Sequence, residues 1–390
     1  MNSRERVLTT FEHQEPDKIP IDFGGNQSGI HIIAYKNLLK YLDIDDKNIK
    51  YCDFIQQLAY PCEELLKRFE VDIRWLRPPK SLLPENFMPI IEGKYIGIYD
   101  QFGVFWGDSK EKDVKEILYY SPQIHPLEDL NTINQIKNFD WPDGTDKKPF
   151  KGLREQAKKL RKNTQYAIAV PPLGCNFEYT TFLFGFKKAL SHLRRKPELI
   201  VAAMEELKKY WTDYATTFLN EIKFNNEFYV DIVAVNSDLA MQTGPLMDPE
   251  KIYVPIIKPI ERDFSQKLHS LANIKINFHC CGSIAPFIPH FADIQYDAVN
   301  PVQIGAYDME PCSLKKRFGE IITFWGGLCD SQHTLPYGPL KKIENEVKYN
   351  LECFKKGGGY IASSVHNITS EVPPENITTM FDTLIKYRKY

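Results

Sequence analysis

The chain has 390 residues, with 49 basic and 51 acidic side chains and a formal net charge of −2. Apolar residues make up 43% of it and charged residues 26%, which predicts a folded protein with a sizeable core and argues against disorder. The charge is near neutral and the sequence has no basic block, so nothing in it indicates a nucleic-acid-binding surface. No run approaches the roughly 18 apolar residues of a spanning helix, and residues 1–10 lack a secretory signal pattern. We therefore expect no membrane partner and a cytoplasmic protein.

Residues 1–150 are predicted to be an N-terminal elaboration of a single domain that covers residues 1–390. Within it, residues 95–99 and 104–106 flank a turn-forming segment at 100–103, which predicts a β-hairpin. The stretch 122–149 is rich in Pro, Asp and Asn and is typical of a surface connection.

From residue 160 onward, short β-branched runs alternate with longer stretches of helical periodicity. This order favours a parallel sheet, and the nearly continuous apolar strands are typical of a sheet that is buried on both faces. We predict an α/β fold, a (β/α)₈ TIM-type barrel whose main strands and helices occupy residues 160–390; an open doubly wound sheet is the alternative. The predicted strands are residues 168–170, 230–235, 274–278, 298–300, 321–325 and 360–362. The predicted helices are residues 197–220, 249–271, 285–294, 312–318 and 339–355, with a final helix after residues 371–376.

Polar residues follow several of these strands, and the carboxyl ends of parallel strands meet at one edge of a sheet, where such folds place their active sites. This convergence indicates an enzyme with a small-molecule substrate. Asp238 is a candidate catalytic carboxylate with a raised pKa, although an Asp in such a loop also commonly caps a helix. The candidate substrate-binding residues are Gln242, Asn300 and Gln303.

The strongest local motif is residues 279–283, His-Cys-Cys-Gly-Ser, at the end of an apolar strand. Alternate side chains of a strand point the same way, so His279 and Cys281 face one side and Cys280 the other. An imidazole and a thiolate form half of a zinc site. The alternative is a hydrogen-bonded histidine beside two buried thiols.

Cys329 and His366 follow other strands, and either could complete a three-ligand set with an open fourth position, as in catalytic zinc sites. Alternatively, Cys329 lies in a turn and His366 hydrogen-bonds to the backbone. The eight cysteines do not resemble a disulfide framework in a chain this long, and we expect reduced thiols, some of them ligands. The chain has no GxSxG, HExxH or paired CxxC motif, which removes the common hydrolase, zincin and zinc-ribbon interpretations.

Several of these segments, taken in order, resemble the uroporphyrinogen decarboxylase (URO-D) superfamily, in particular its branch of corrinoid-dependent methyltransferases. They are residues 5–7, 15–20, 231–239, 242–245, 279–284, 300–303, 324–327, 357–361 and 366–368. The resemblance implies a (β/α)₈ barrel with its pocket at the carboxyl ends of the strands.

In the methyltransferase members, zinc held by a His-x-Cys pair and a later Cys activates a thiol that accepts a methyl group from a methylcobamide on a separate corrinoid protein. His279 and Cys281 match the pair, and His366 stands where the later Cys is expected. The resemblance thus leaves three outcomes: His366 ligates, Cys329 substitutes for it, or zinc is absent. A corrinoid protein partner is implied by the resemblance alone.

The decarboxylase itself is metal-free and has an arginine-rich N-terminal motif. Residues 23–28, Phe-Gly-Gly-Asn-Gln-Ser, stand where that motif is expected, and a porphyrinogen with many carboxylates needs cationic partners. We therefore expect a zinc-dependent methyltransferase that moves a methyl group between a corrinoid and a thiol or another small acceptor. The alternatives are a metal-free tetrapyrrole decarboxylase and a non-catalytic corrinoid or small-molecule binding protein.

Overall fold

The computed structural model describes residues 1–25, 27–113 and 116–390; Asn26, within the segment 23–28 discussed above, lies outside the described residues. The helices of the first half are α1 (Ser3–Phe11), α2 (Ile32–Tyr41), α3 (Glu63–Arg68), α4 (Ile133–Lys137), α5 (Leu153–Asn163), α6 (Phe177–Phe184) and α7 (Phe186–Arg195). Those of the second half are α8 (Pro197–Glu221), α9 (Lys258–Leu271), α10 (Ile288–Asp293), α11 (Pro311–Phe318), α12 (Thr334–Tyr337), α13 (Leu340–Lys355) and α14 (Pro374–Tyr387).

The strands are short, and most of the longer ones match the predicted runs. The first nine are β1 (Lys50–Asp53), β2 (Leu58–Ala59), β3 (Ile73–Trp75), β4 (Leu83–Pro84), β5 (Ile90–Glu92), β6 (Tyr95–Tyr99), β7 (Phe105–Ser109), β8 (Ser121–Ile124) and β9 (Ala167–Val170). The others are β10 (Lys223–Phe224), β11 (Glu227–Phe228), β12 (Ile232–Asn236), β13 (Ala240–Met241), β14 (Gly244–Pro245), β15 (Lys275–His279), β16 (Ala298–Asn300), β17 (Thr323–Trp325) and β18 (Tyr360–Ile361).

Seven strands of the described residues form a curled parallel sheet in the order β18-β17-β16-β15-β12-β9-β3. All six strands that the sequence predicts lie in it, and β3 is added at one edge. A segment around Ile21 lies beside both edges: Asp22 N–H donates to the Ala362 carbonyl, and Asp72 N–H donates to the Ile21 carbonyl. The parallel α/β sheet is confirmed, whereas closure into an eight-stranded barrel stays a prediction.

The two faces of the sheet bury separate apolar clusters, as expected for strands covered on both sides. On the concave face, Trp75 and Trp325 are packed among alanines from neighbouring strands, and α1 adds Val7 and Phe11. The small residues leave room for the two indoles. Those alanines are Ala167, Ala169, Ala234 and Ala298.

The N-terminal region contains the predicted hairpin. Strands β6 and β7 pair antiparallel within a four-stranded sheet of order β5-β6-β7-β8. The stretch 122–149 is mostly irregular, as expected for a connection, but it also carries β8 and the short helix α4, which the Pro- and Asp-rich composition concealed.

The predicted helix 249–271 is two helices in the structure. Residues Pro249–Ile257 form π-helical turns, and α9 continues from Lys258. Pro255 lies inside the first part and has no N–H to donate, so the regular α-helical bonding cannot pass through it. Similarly, the predicted helix 285–294 begins as a 3₁₀ turn before α10.

A disulfide joins Cys312 of α11 to Cys353 of α13. The sequence prediction of reduced thiols is therefore wrong for this pair. The two helices pack side by side and bring the Cα atoms within 4.6 Å, a proximity that a separation of 41 residues does not reveal. The other six cysteines, all within the described residues, are free.

Among the described residues, none of the helices combines the length and the apolar character that crossing a membrane requires.

The end of the fold opposite the strand carboxyl ends is held by the buried carboxylate of Asp72. It pairs with Arg6 of α1 at 2.6 Å and with Arg388, just after α14, at 3.3 Å. It also accepts hydrogen bonds from the Ser3 hydroxyl and the Ile21 N–H. Both arginines are at most 5% exposed, and the Asp72 carboxylate is the one that they share, so it links α1, the residue after α14 and the edge of the sheet.

We expect Asp72→Ala to lower the free energy of unfolding by about 3–5 kcal/mol, because it leaves two buried guanidinium groups without this partner. Asp17→Ala is the matched control, since Asp17 also pairs with Arg6 but its side chain is 40% exposed; its cost should be about 0–1 kcal/mol. Urea unfolding measures both. Equal effects of the two substitutions would contradict the role assigned to Asp72.

Candidate metal centre

Polar side chains meet at the carboxyl ends of neighbouring strands. In the sheet register, Asn236 at the end of β12 pairs with His279 at the end of β15, and His279 pairs with Asn300 at the end of β16. His366 follows β18 and lies close to His279, with a ring centroid distance of 5.6 Å. The strand order therefore brings together residues that are up to 130 positions apart in the chain.

His279, Cys281 and His366 each turn a ligand-type atom toward a common point. The three atoms lie within 4.8 Å of one another, and Cys281 Sγ is 3.5 Å from His279 Nε2. The alternation predicted for this strand is present: Cys280 packs in the convex-face cluster, where its sulfur accepts the Leu239 N–H, and Cys281 lies on the side of His279.

The turn after His279 requires a glycine. Gly282 has φ +91°, and a Cβ there would lie 2.6 Å from the Met241 carbonyl oxygen of β13. The residue thus lets the chain reverse against β13 directly after Cys281, which holds the thiol beside the imidazole.

Asn300 fixes the orientation of the His279 ring. Its Nδ2 donates to the Trp325 carbonyl at 3.1 Å, so its Oδ1 is the acceptor for a hydrogen bond of 2.9 Å from the His279 Nδ1–H. The unprotonated Nε2 then faces Cys281. Asn300, a predicted substrate-binding residue, is 1% exposed, and both ends of its amide are hydrogen-bonded within the protein. Through the bond to Nδ1 it orients the His279 ring.

Burial controls the protonation of all three groups. It lowers the pKa of His279 to about 4, and it lowers the pKa of His366 to about 4 with a smaller contribution from His279. Both imidazoles are thus neutral near pH 7, the state that binds a cation. Burial, followed by the negative charge of Asp238, raises the pKa of the Cys281 thiol. A thiolate at this position needs a nearby cation.

Two carboxyl groups lie beside the three-residue cluster. Asp238 Oδ1 accepts the Cys281 N–H at 2.8 Å, and the Glu178 carboxyl accepts the backbone N–H of Asp238. Burial and then the charge of Asp238 raise the pKa of Glu178 to about 8, and burial raises the pKa of Asp238 as well. Glu178 therefore carries a proton at neutral pH.

Glu178 is not predicted by the pattern of polar residues directly after strands. It follows β9 by eight residues and lies in the first turn of α6. The signal that could have found it is Cys175, which comes shortly after the same strand and donates to Glu178 Oε2 at 3.4 Å.

The remaining predicted site residues, Gln303, Gln242 and Cys329, have different surroundings. Gln303 lies next to the cluster, and its Oε1 accepts the Gly282 N–H at 2.7 Å. Gln242 is exposed, and its backbone carbonyl accepts the Tyr307 N–H. Cys329 is fully buried and outside the cluster, beside Glu346 and Asp330, which together with burial raise the pKa of its thiol.

Comparisons with known proteins identify the family and the fold. The family model described as uroporphyrinogen decarboxylase (URO-D) matches residues 120–387, more than half of the chain. Among solved structures, a methyltransferase from Methanosarcina mazei matches with a TM-score of 0.61 and 17% sequence identity, covering 99% of each chain. This likeness concerns the fold. No curated protein matches the chain significantly.

The raised pKa of Glu178 predicts a pH-dependent penalty in the metal-free protein. An unfolded Glu titrates near 4.5 and the folded one near 8, so the folded state should lose stability as pH rises between these values and no further. Glu178→Gln removes the effect. The free energy of unfolding of Glu178→Gln minus that of wild type should therefore be larger at about pH 8.5 than at about pH 5.

Urea unfolding at the two pH values gives the comparison. Glu155→Gln, an exposed position on α5, is the matched control and should give the same difference at both. A pH-independent difference for Glu178→Gln would show that Glu178 does not hold its proton in the folded state.

Proposed function

The chain belongs to the uroporphyrinogen decarboxylase family, and we propose that it is a zinc-dependent methyltransferase of that family. It moves a methyl group between a corrinoid and a small acceptor, for which a thiol is the leading candidate. The observation that carries the proposal is the convergence of His279, Cys281 and His366 at the carboxyl ends of the strands. The fold likeness to a methyltransferase supports the same class of reaction.

The donor set fits zinc. At usual bond lengths of about 2.0 Å to nitrogen and 2.3 Å to sulfur, two tetrahedral ligands lie roughly 3.5 Å apart. The distance from Cys281 Sγ to His279 Nε2 is 3.5 Å. Three protein ligands leave a fourth position for substrate, the arrangement of catalytic sites. His366 is the third ligand in this proposal, because Cys329 lies outside the cluster.

Zinc bound there supplies Lewis-acid chemistry, by which a thiol of the acceptor becomes a thiolate at neutral pH. The chain's own residues orient a metal ligand and hold a proton beside the site. Asn300 keeps the His279 Nε2 lone pair toward the site, and Glu178 holds a proton beside Asp238. An acceptor thiol that binds as thiolate would give up its proton, and Asp238, whose Oδ1 accepts the Cys281 N–H, lies beside the site to receive it.

A tetrapyrrole decarboxylase fits these residues less well. The substrate would bring several carboxylates to a site whose own carboxyl groups, Asp238 and Glu178, already lie close together. Residues 23–28, where the resemblance leads us to expect the arginine-rich motif, hold no arginine.

Metal analysis tests the zinc assignment. Untagged wild-type protein should contain about one zinc per chain, and Cys281→Ala and His366→Ala should each lose it. Asn300→Ala should weaken zinc binding by about 10- to 100-fold, because the His279 ring is no longer oriented.

Cys329→Ala is the matched control, a buried cysteine outside the cluster, and should retain its zinc. Zinc retained in both Cys281→Ala and His366→Ala, or absent from reconstituted wild type, would overturn the assignment.

Methyl transfer is tested with methylcobalamin as donor and 2-mercaptoethanol as acceptor. The wild type should form the methyl thioether and cob(I)alamin, while His279→Ala and Cys281→Ala should be inactive. Loss of CO₂ from uroporphyrinogen would instead establish the decarboxylase, and corrinoid binding without turnover would favour the binding protein.

A further inference from the structure

A cavity lies on the outer side of β3, and none of its lining residues belongs to the metal-ligand cluster. Its volume is about 430 Å³, within the range of about 300–1,000 Å³ usual for small-molecule sites. Residues Leu66 of α3, Leu76 after β3 and Leu160 of α5 provide apolar walls. Lys159 and Asn163 of α5 are exposed, so the cavity opens to solvent on that side.

Arg77 lies in the wall of this cavity and is only 3% exposed. Its Nη1 and Nη2 donate long hydrogen bonds, of 3.5 and 3.4 Å, to the carbonyls of Cys52 and Gly24. Its Nε is buried without a hydrogen-bond partner. Among the described residues, no carboxylate pairs with this guanidinium. A buried cation in this state is costly unless an anion accompanies it.

The other charges around the cavity do not supply that anion. Glu63 is held by Arg74 through two hydrogen bonds of 2.9 Å, and the Asp46 carboxylate accepts the Tyr35 hydroxyl at 2.7 Å. Lys159 adds a further cation at the open side. Three cations and two carboxylates line the cavity, which leaves one positive charge in excess.

We propose that this cavity binds a small amphipathic carboxylate, with its anionic group on Arg77 and its hydrocarbon body against Leu66, Leu76 and Leu160. One excess positive charge matches a single carboxylate better than a doubly charged phosphate. The apolar walls favour a hydrocarbon body. The proposal is independent of the methyl-transfer reaction, because none of the three ligand residues lines this cavity.

Isothermal titration calorimetry of the full chain with octanoate tests the proposal, with octylamine and octanol as probes of the same hydrocarbon body. Octanoate should bind saturably and more tightly than either. Arg77→Met, which keeps most of the side-chain length, should weaken octanoate binding by roughly 10- to 100-fold. Lys137→Met, an exposed cation of α4 outside the cavity, should leave it unchanged.

Leu160→Trp gives an independent check, because it fills the cavity from the α5 side and leaves Arg77 in place; it should abolish octanoate binding. The melting temperature of each variant without ligand identifies any that fail to fold. Absence of octanoate binding by wild type, equal binding of octanol, or full binding by folded Arg77→Met would each overturn the proposal. Zinc content and methyl transfer, measured in parallel, should be unaffected by Leu160→Trp.

Discussion

The architecture depends on the buried charge of Asp72. This carboxylate accepts bonds from α1, from the Ile21 segment and from the residue that follows α14, so it fixes both ends of the chain to the same edge of the sheet. The Ile21 segment is also tied to this edge by the Asp72 N–H, which donates to the Ile21 carbonyl. The polar junction lies at one end of the strands and the metal-ligand cluster at the other, with an apolar interior between them. The charged junction that stabilises the fold and the candidate metal site thus lie at opposite ends of one sheet.

The metal-ligand cluster is connected to that interior through Trp325. Its carbonyl accepts the Asn300 amide, and Asn300 orients His279. Its indole N–H donates to Asp22, a fully buried carboxylate that also accepts the Trp75 indole N–H. A continuous series of hydrogen bonds therefore runs from a packed core residue to a candidate ligand. This arrangement restricts the imidazole more than a surface loop could, as precise ligand geometry requires.

Much of this could be predicted from the sequence because strand periodicity is strong. The apolar runs gave the parallel sheet, and alternation along residues 279–281 correctly separated Cys280 from its neighbours. Other features depend on contacts that periodicity does not encode. The Cys312–Cys353 disulfide and the proximity of Glu178 to Asp238 arise from helix packing and loop conformation. The contacts of Asn300 are of the same kind, because its amide pairs with groups of β15 and β17 that are distant in the sequence.

The packing of the concave face restricts how its sequence can change. Two indoles occupy the volume that four alanines leave free, so the size of each of these residues is set by the sizes of the others. A larger side chain at Ala234 would have to be matched by a smaller one on a neighbouring strand. An unmatched enlargement causes steric overlap, and an unmatched reduction leaves a void. Relatives of this chain should therefore differ here by paired replacements that conserve total volume, which makes these positions useful for alignment where overall identity is low.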